Sequence, residues 1–303
     1  MTRPQIRVAT SVAPSDTSTS TVLKPDVARQ IQLRDTPLTT YTDIPYAEPD
    51  LRLDLFVPEG PGPWPLVVYL PGGGFQIAHK ENGLQLRTYL AEAGFAVASA
   101  HYRTVPENGA VYTDNIADVR AAVGHLRANA DKYGIDPEKV ALWGESAGGY
   151  LATLTGLDPS LGVRAVVDKF GAVHLGTLYE DFDDVTKASA DVPGQPFAQY
   201  LHGRGTTKTL HDDVPDANPI NHITADAPAF QIWHGSADKF ISPSQTLRLH
   251  NALRAAGVDS TRYVLDGADH GDLVALLGDP AGALPWSTEE VVGLHIDFLR
   301  KHL

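Results

Sequence analysis

A serine between two glycines is the residue whose setting most strongly indicates chemistry. Gly144-Glu-Ser-Ala-Gly148 matches the pattern G-x-S-x-G, and Gly149 follows it. The pattern comes directly after the apolar run Val140–Trp143 and opens a segment of helical character, Ala147–Leu157. A sharp turn from strand to helix exposes a serine hydroxyl above a sheet, at the positive end of the helix dipole. We therefore predict that Ser146 is a nucleophile, with a chance match in a helix-capping turn as the alternative.

A run of three glycines follows another apolar segment. Leu70-Pro-Gly-Gly-Gly-Phe75 continues the apolar run Leu66–Leu70. Glycines let backbone N–H groups approach a substrate oxygen without obstruction by side chains, as an oxyanion hole requires. We predict that the N–H groups of Gly73, Gly74 and Ala147 form this hole. The alternatives are a flexible glycine turn and a phosphate-binding loop, and the latter is disfavoured because no Gly-Lys-Ser/Thr follows.

A serine nucleophile needs a general base, and that base needs a carboxylate to fix its tautomer. In α/β proteins whose nucleophile is the serine of a G-x-S-x-G motif, the acidic residue of the triad follows that serine along the chain, and the histidine follows the acidic residue. Asp238 lies just beyond the apolar run Ala229–Trp233, and His270 lies just beyond Thr261–Leu265. We predict Asp238 as the acid and His270 as the base.

Other residues compete for both roles. His234, one of twelve histidines in the chain, is the second candidate for the base, and we interpret it as a structural residue at a strand end. Asp266, Asp269 and Asp272 adjoin His270 in sequence and compete with Asp238. We assign these three aspartates to loop turns, where aspartate commonly bonds to nearby backbone.

Alternating strands and helices must position these residues. This alternation predicts an α/β fold with a mostly parallel sheet and helices on both faces, and ligands in such sheets bind beyond the carboxyl ends of the strands. The predicted strands are Leu51–Val57, Leu66–Leu70, Phe95–Ala100, Val140–Trp143, Val163–Val167, Ala229–Trp233 and Thr261–Leu265, and the predicted helices are Leu84–Glu92, Asp114–Tyr133, Ala147–Leu157, Thr246–Ala256 and Val291–Leu303.

Two segments do not follow this alternation. Residues 1–28 are rich in Ser, Thr and Pro, so we predict a flexible, loosely packed N-terminal arm ahead of a catalytic domain at 29–303. Residues 171–219 lack a clear sheet element, and we predict a cap inserted over the active site because long loops in compact domains are usually functional. A surface excursion that packs on the body is the alternative.

Composition excludes several classes of function. The chain has 303 residues, a formal net charge of −13 and no cysteine. An acidic chain disfavours nucleic acid and anionic membranes as partners, and without cysteine there is no disulfide, Cys-ligated zinc or thiol catalysis. No apolar signal segment or run of about 18 apolar residues is present, so we expect a cytoplasmic location and no membrane span. A homodimer is left open.

Six motifs together resemble one family. The chain is similar to the bacterial hormone-sensitive-lipase-like and feruloyl/acetylxylan-esterase-like serine esterases of the α/β-hydrolase superfamily. In this family the oxyanion motif usually reads His-Gly-Gly-Gly, whereas Pro71 replaces that histidine here, and His101 stands where an Asp usually precedes Tyr102. The matching segments are Pro71–Phe75, Tyr102–Glu107, Lys132–Pro137, Gly144–Gly149, His234–Asp238 and Gly267–His270.

These residues and the resemblance imply an α/β-hydrolase fold and a serine carboxylesterase. We expect hydrolysis of small to medium carboxylic esters through an acyl-enzyme on Ser146, with a small-molecule ester as substrate and with neither a metal nor an organic cofactor. Two alternatives remain. The same triad could act on an amide, formamide, lactone or carbamate, or the chain could be a non-catalytic ligand-binding protein on the hydrolase scaffold.

Overall fold

A mostly parallel sheet runs through the computed structural model, which describes residues 8–190, 192, 196–201, 206, 213–272 and 284–303. Within these residues the sheet has nine strands. They are β1 (Thr21–Leu23), β2 (Leu38–Ala47), β3 (Leu51–Pro58), β4 (Trp64–Leu70), β5 (Ala96–Ala100), β6 (Ile135–Glu145), β7 (Ala165–Lys169), β8 (Ala229–Gly235) and β9 (Ser260–Leu265).

The order of the strands brings the predicted site residues to one edge. The strands follow the order β1-β9-β8-β7-β6-β4-β5-β3-β2. Only the β2–β3 and β3–β5 pairs are antiparallel, and the other pairs are parallel. The carboxyl ends of β4 and β6 to β9 therefore lie at the same edge, where an α/β sheet binds its ligand. The predicted fold class is confirmed.

Helices cover both faces of this sheet. Alternate residues of a strand point to opposite faces, so the continuous apolar run of β4 requires cover on both sides. Leu66 and Val68 pack into one hydrophobic cluster, and Val67 and Tyr69 pack into another. The described helices are α1 (Leu84–Glu92), α2 (Val105–Asn108), α3 (Tyr112–Ala128), α4 (Ala130–Tyr133), α5 (Ala147–Gly156), α6 (Asp184–Ala190), α7 (Pro196–Tyr200), α8 (Ser244–Ala255) and α9 (Glu289–His302).

The two clusters assign the main helices to faces. Helices α3, α5 and α8 contribute to the first cluster, and α1 and α9 contribute to the second. The single helix predicted over Asp114–Tyr133 is divided at Asn129, whose backbone leaves the helical region at φ −114° and ψ 22°. The Asn129 side chain donates to the His125 carbonyl oxygen at 2.8 Å, and this competition with the backbone ends α3.

No helix in the described part is long and apolar enough to cross a bilayer.

The N-terminal arm forms contacts with the body of the fold that the sequence did not predict. Residues 1–7 lie outside the described residues, but β1 pairs in parallel with β9 and so forms one end of the sheet. Ahead of β1, the Ala9 N–H donates to the Lys239 carbonyl at 2.9 Å and the Ala13 N–H donates to Asp181 at 2.7 Å. Residues 8–28 therefore contact the body of the fold, and the prediction of a flexible, loosely packed arm stays a prediction. The strand edge offered by β9 satisfies backbone groups of the arm, and this pairing needs no apolar pattern.

The predicted insertion is built from short helices and turns. Within residues 171–219 the described part holds α6, α7 and several 3-10 turns, and the remaining residues of the range lie outside the description. Its Tyr200 ring stacks on Phe75 with centroids 3.7 Å apart, and Phe197 meets Phe75 edge-on at 5.2 Å. The insertion therefore packs against the residue that ends the glycine loop. Whether it acts as a cap stays a prediction.

Candidate active site

Ser146 occupies a strained turn between β6 and α5. Its backbone has φ 55° and ψ −119°, and its N–H donates to the Lys169 carbonyl oxygen at 2.9 Å. A Cβ atom at Gly144 would lie 2.0 Å from the Gly148 oxygen, and one at Gly148 would lie 2.0 Å from the Leu70 oxygen. The two flanking glycines are thus required by close backbone approach. The turn leaves the Ser146 side chain partly exposed at the edge of the sheet.

His270 joins the predicted nucleophile to the predicted acid. Its Nε2 lies 2.8 Å from Ser146 Oγ, and its Nδ1 lies 2.7 Å from Asp238 Oδ2. Because a carboxylate only accepts hydrogen bonds, Nδ1 carries the proton and Nε2 accepts the hydrogen bond of the serine hydroxyl. The structure brings together the three side chains that the sequence predicts for the triad.

The Asp238 carboxylate is fully buried, and each of its oxygens has partners. Oδ1 accepts the N–H groups of Phe240 and Ile241 at 2.9 and 3.0 Å, and Oδ2 faces His270. Burial raises the pKa of Asp238, but the charge of His270 and the hydrogen bonds from His234 and His270 outweigh it and hold that pKa well below its usual range. Asp238 is therefore an anion at every pH where His270 could act as a base.

Aromatic rings surround the His270 imidazole. Phe170 and Phe240 have centroids 4.6 and 5.2 Å from that of His270, and Trp286 packs edge-on against Phe170 at 4.8 Å. Phe170 follows β7 with φ 48°, a strained conformation for a residue with a side chain. Sequence reasoning missed this residue, since no local pattern marks a phenylalanine for the left-handed region.

The glycine loop lies beside Ser146. Among the described residues, the N–H groups of Gly73, Gly74 and Ala147 have no hydrogen-bond acceptor. A Cβ atom at Gly72 would lie 3.2 Å from Ser146 Cβ, so the loop approaches the nucleophile closely at this glycine. The sequence analysis assigned no role to Gly72. The loop therefore presents unpaired donors next to the serine hydroxyl.

A buried tyrosine supports the start of this loop. The Tyr102 hydroxyl donates to the Pro71 carbonyl oxygen at 2.6 Å. The sequence indicated Tyr102 only as part of a family motif and did not predict its contact with Pro71. The Tyr46 hydroxyl in turn donates to the carbonyl oxygen of His101. A tyrosine hydroxyl thus holds the first residue of the loop.

The competing residues have other partners. Asp269 Oδ1 accepts the N–H of His270 at 2.8 Å, Asp272 Oδ2 accepts the Ser287 hydroxyl at 2.6 Å, and Asp266 is exposed. His234 is fully buried, with Nε2 3.1 Å from Asp238 Oδ2. Neither Asp269 nor Asp272 is placed against the His270 ring nitrogen that Asp238 contacts.

An ion pair lies beside the nucleophile. Lys169 Nζ is 2.6 Å from Glu145 Oε1, and the Tyr69 hydroxyl donates to Glu145 Oε2 at 3.1 Å. The Lys169 side chain is almost fully buried, whereas 24% of the Glu145 side chain is exposed. The pair holds the residue before Ser146 and so supports the turn.

In the described ranges, no group of three or more His, Asp or Glu side chains is placed to hold a metal ion.

Comparisons with known proteins point to one family. The BD-FAE protein family matches residues 53–253. The chain is 31% identical over 223 residues to the esterase LipC of Mycobacterium tuberculosis, a match that covers 69% of this chain and 53% of LipC. It is 26% identical over 262 residues to the probable isoprenylcysteine alpha-carbonyl methylesterase ICMEL1 of Arabidopsis thaliana, with 81% of this chain and 53% of ICMEL1 covered. The chain thus spans about half the length of these curated relatives.

A solved structure is similar over nearly the whole fold. A truncated carbohydrate esterase from gut microbiota superimposes with a TM-score of 0.75 at 24% sequence identity. The superposition covers 89% of this chain and 98% of that protein. At this identity the likeness concerns the fold alone.

Proposed function

Because this chain belongs to the BD-FAE family of the α/β-hydrolase superfamily, we propose that it is a serine carboxylesterase. It hydrolyses small to medium carboxylic esters through an acyl-enzyme on Ser146. One observation carries the proposal: His270 lies within hydrogen-bond distance of both Ser146 Oγ and Asp238, at 2.8 and 2.7 Å. The esterase names of LipC and ICMEL1 support an ester as the substrate.

The reaction begins with attack by Ser146. As Oγ bonds to the substrate carbonyl carbon, its proton passes to His270 Nε2, which lies 2.8 Å away. The imidazolium that forms keeps its Nδ1–H bonded to Asp238, whose buried negative charge stabilises it. The negative charge of the tetrahedral intermediate develops on the former carbonyl oxygen, which therefore needs donors on the side away from His270.

The free N–H groups of Gly73, Gly74 and Ala147 supply these donors. They belong to the loop after β4 and to the first residue of α5, and the helix dipole adds to their effect. Since such donors are fixed before the reaction, no reorganisation is needed when the charge develops, and one donor is worth about 100- to 1,000-fold in rate.

His270 then completes the cycle. It returns the proton to the leaving alkoxide, which departs as an alcohol and leaves the acyl group on Ser146. A water molecule takes the place of the alcohol, gives a proton to His270 and attacks the acyl carbon. Collapse of the second intermediate releases the acid and restores the Ser146 hydroxyl. The cycle consumes one ester and one water and yields one alcohol and one carboxylic acid.

Aromatic packing supports a substrate of limited size. An aromatic cluster adjoins the end of the glycine loop, with ring centroids between 3.7 and 6.1 Å apart, and consists of Phe75, Tyr150, Phe197 and Tyr200. Phe75, Tyr150 and Tyr200 are fully buried, so this volume is filled by the protein itself. A short or medium acyl chain therefore fits the proposal better than a long one.

Hydrolysis of p-nitrophenyl esters tests the proposal. We expect turnover of the acetate and butyrate by the wild-type protein, slower turnover of the palmitate, and loss of turnover in Ser146→Ala. Equal rates for Ser146→Ala and wild type would show that the nucleophile lies elsewhere. Absence of ester turnover by folded wild-type protein would instead favour an amide, formamide, lactone or carbamate, which a panel of those substrates distinguishes.

A further inference from the structure

Two imidazoles meet the same oxygen of Asp238. His270 Nδ1 lies 2.7 Å from Oδ2, and His234 Nε2 lies 3.1 Å from it. His234 Nε2 is also 3.1 Å from the Ile241 carbonyl oxygen. Both of these neighbours are acceptors, so His234 Nε2 carries a proton and donates it. The carboxylate thus receives a second N–H from a side chain that does not touch Ser146.

A directed chain of hydrogen bonds fixes the tautomer of His234. Arg262 Nε donates to Thr246 Oγ1 at 3.1 Å, and Thr246 Oγ1 lies 2.9 Å from His234 Nδ1. The Pro243 oxygen lies 3.2 Å from the Thr246 hydroxyl and accepts Arg262 Nη2–H at 2.9 Å. Because Nε2 faces two acceptors and carries the ring proton, Nδ1 of the neutral imidazole is an acceptor, and the Thr246 hydroxyl donates to it.

The chain begins at a buried cation and extends to the N-terminal arm. The Arg262 side chain is buried, and no carboxylate in the described part pairs with its guanidinium. Burial lowers its pKa to about 10, so the group is charged at neutral pH. Its Nη1 donates to Ser20 Oγ at 2.8 Å, in the residue just before β1. Arg262 Nε–H thus begins the chain of hydrogen bonds that leads through Thr246 and His234 to Asp238.

We propose that His234 is a positioning residue of the hydrolytic reaction, which holds the Asp238 carboxylate in place through its Nε2–H while His270 gains and loses its proton. Thr246 and Arg262 hold His234 in the tautomer that donates. The proposal rests on the proposed function, because it assigns His234 a task only in a reaction that uses His270 as a base. It extends the sequence interpretation of His234 as a structural residue.

Paired substitutions at His234 test the proposal. Glutamine can place an N–H donor near the position of Nε2, whereas leucine cannot. We expect His234→Leu to lower kcat for p-nitrophenyl acetate by roughly 10- to 100-fold, as misplaced catalytic groups do, with KM little changed. His234→Gln should recover most of this loss. His250 is a matched control, since it is buried and bonded to Ser260 Oγ and the Thr19 carbonyl, away from Asp238.

The control separates positioning from a general effect of removing a buried histidine. His250→Leu and His250→Gln should keep the wild-type kcat in the folded fraction, as measured by active-site titration. Equal kcat losses in His234→Leu and His234→Gln, or no loss in either, would overturn the proposal. Where His234→Leu fails to fold, Thr246→Val and Thr246→Ser take its place, because valine removes the hydroxyl that fixes the tautomer and serine keeps it.

A measurement without substrate separates this proposal from the proposed function. The proton between His270 Nδ1 and Asp238 gives a far-downfield ¹H NMR signal when the hydrogen bond is short and shielded from water. We expect that signal in the wild type and in His234→Gln, and its loss or upfield shift in His234→Leu. An unchanged signal in His234→Leu overturns the positioning role, whatever the activity. Absence of esterase turnover by a wild type that shows the signal contradicts the proposed function alone.

Discussion

The Tyr102 hydroxyl donates a hydrogen bond of 2.6 Å to the carbonyl oxygen of Pro71. This bond ties the segment after β5 to the first residue of the glycine loop. Burial raises the pKa of Tyr102 well above its usual value. The hydroxyl therefore keeps its proton and stays a hydrogen-bond donor at every pH at which the protein is studied. A side chain from the segment after the neighbouring strand β5 therefore helps to hold the loop in position.

Tyr102→Phe should weaken both the fold and the reaction. The substitution leaves the buried Pro71 oxygen without its partner, which costs about 1–3 kcal/mol of unfolding free energy. We expect a kcat about tenfold lower with little change in KM, because the oxyanion donors shift relative to the reacting carbon. Chemical denaturation and ester kinetics measure the two effects. Tyr200→Phe is the control, since the Tyr200 hydroxyl is buried without a partner among the described residues, and its loss should not destabilise the protein.

Asp238→Asn should nearly abolish turnover in a folded protein. The asparagine keeps the size of the side chain but carries no negative charge to stabilise the His270 imidazolium. Its amide group can also hold His270 in the wrong tautomer. We expect kcat to fall by about 10⁴-fold while the melting temperature changes far less than the rate. Retention of more than a tenth of the wild-type kcat would remove Asp238 from the triad.

Gly148→Ala should disrupt the turn that carries Ser146. The new Cβ atom would lie 2.0 Å from the Leu70 carbonyl oxygen, so backbone must move. We expect a loss of about 3 kcal/mol in unfolding free energy, together with loss of activity. Gly124→Ala is the matched control, because Gly124 is exposed on α3 and a Cβ there meets nothing within 4 Å. This control should gain up to about 1 kcal/mol and keep its activity.

The buried Asp168 should make stability depend on pH. Burial raises its pKa from 3.8 to about 7. The folded protein therefore binds one more proton than the unfolded chain between these values, and stability falls as pH rises through that window by about 1.4 kcal/mol per pH unit. Asp168→Asn lacks this proton, so relative to wild type it should gain stability between pH 5 and pH 8. Chemical denaturation at both pH values checks the sign, with the exposed Asp266→Asn showing no such gain.

Local patterns account for the centre of the fold. Apolar runs such as Leu66–Leu70 and Val140–Trp143 predict the central strands, because a strand covered on both faces needs apolar side chains at every position. The loops that follow these runs then meet at one edge, which is why chain order alone indicates Ser146, Asp238 and His270. The structure brings these three side chains together, and their roles in catalysis stay predictions.

Long-range contacts account for what the sequence did not predict. The strand β1 has only three residues and forms because the edge of β9 is open to pairing, and β2 contains Asp43 with φ 53° and Pro45, which obscure its strand pattern. The strained Phe170 contacts His270, which lies in a different loop. The His234 ring contacts Asp238 only four residues later, but its hydrogen bond to Thr246, which in turn bonds to Arg262, joins separate elements of the fold. Such contacts are not encoded in a short stretch of sequence, so only the folded chain shows them.

Covalent labelling of the folded protein tests the central claim most directly. A fluorophosphonate reacts with a serine only when a neighbouring base activates its hydroxyl, and peptide mass spectrometry then identifies the modified residue. We predict one adduct per chain, on Ser146, formed in step with the loss of p-nitrophenyl acetate turnover and absent in His270→Ala. An adduct on another residue, or turnover that persists once Ser146 is fully labelled, would contradict the assignment of Ser146 as the nucleophile.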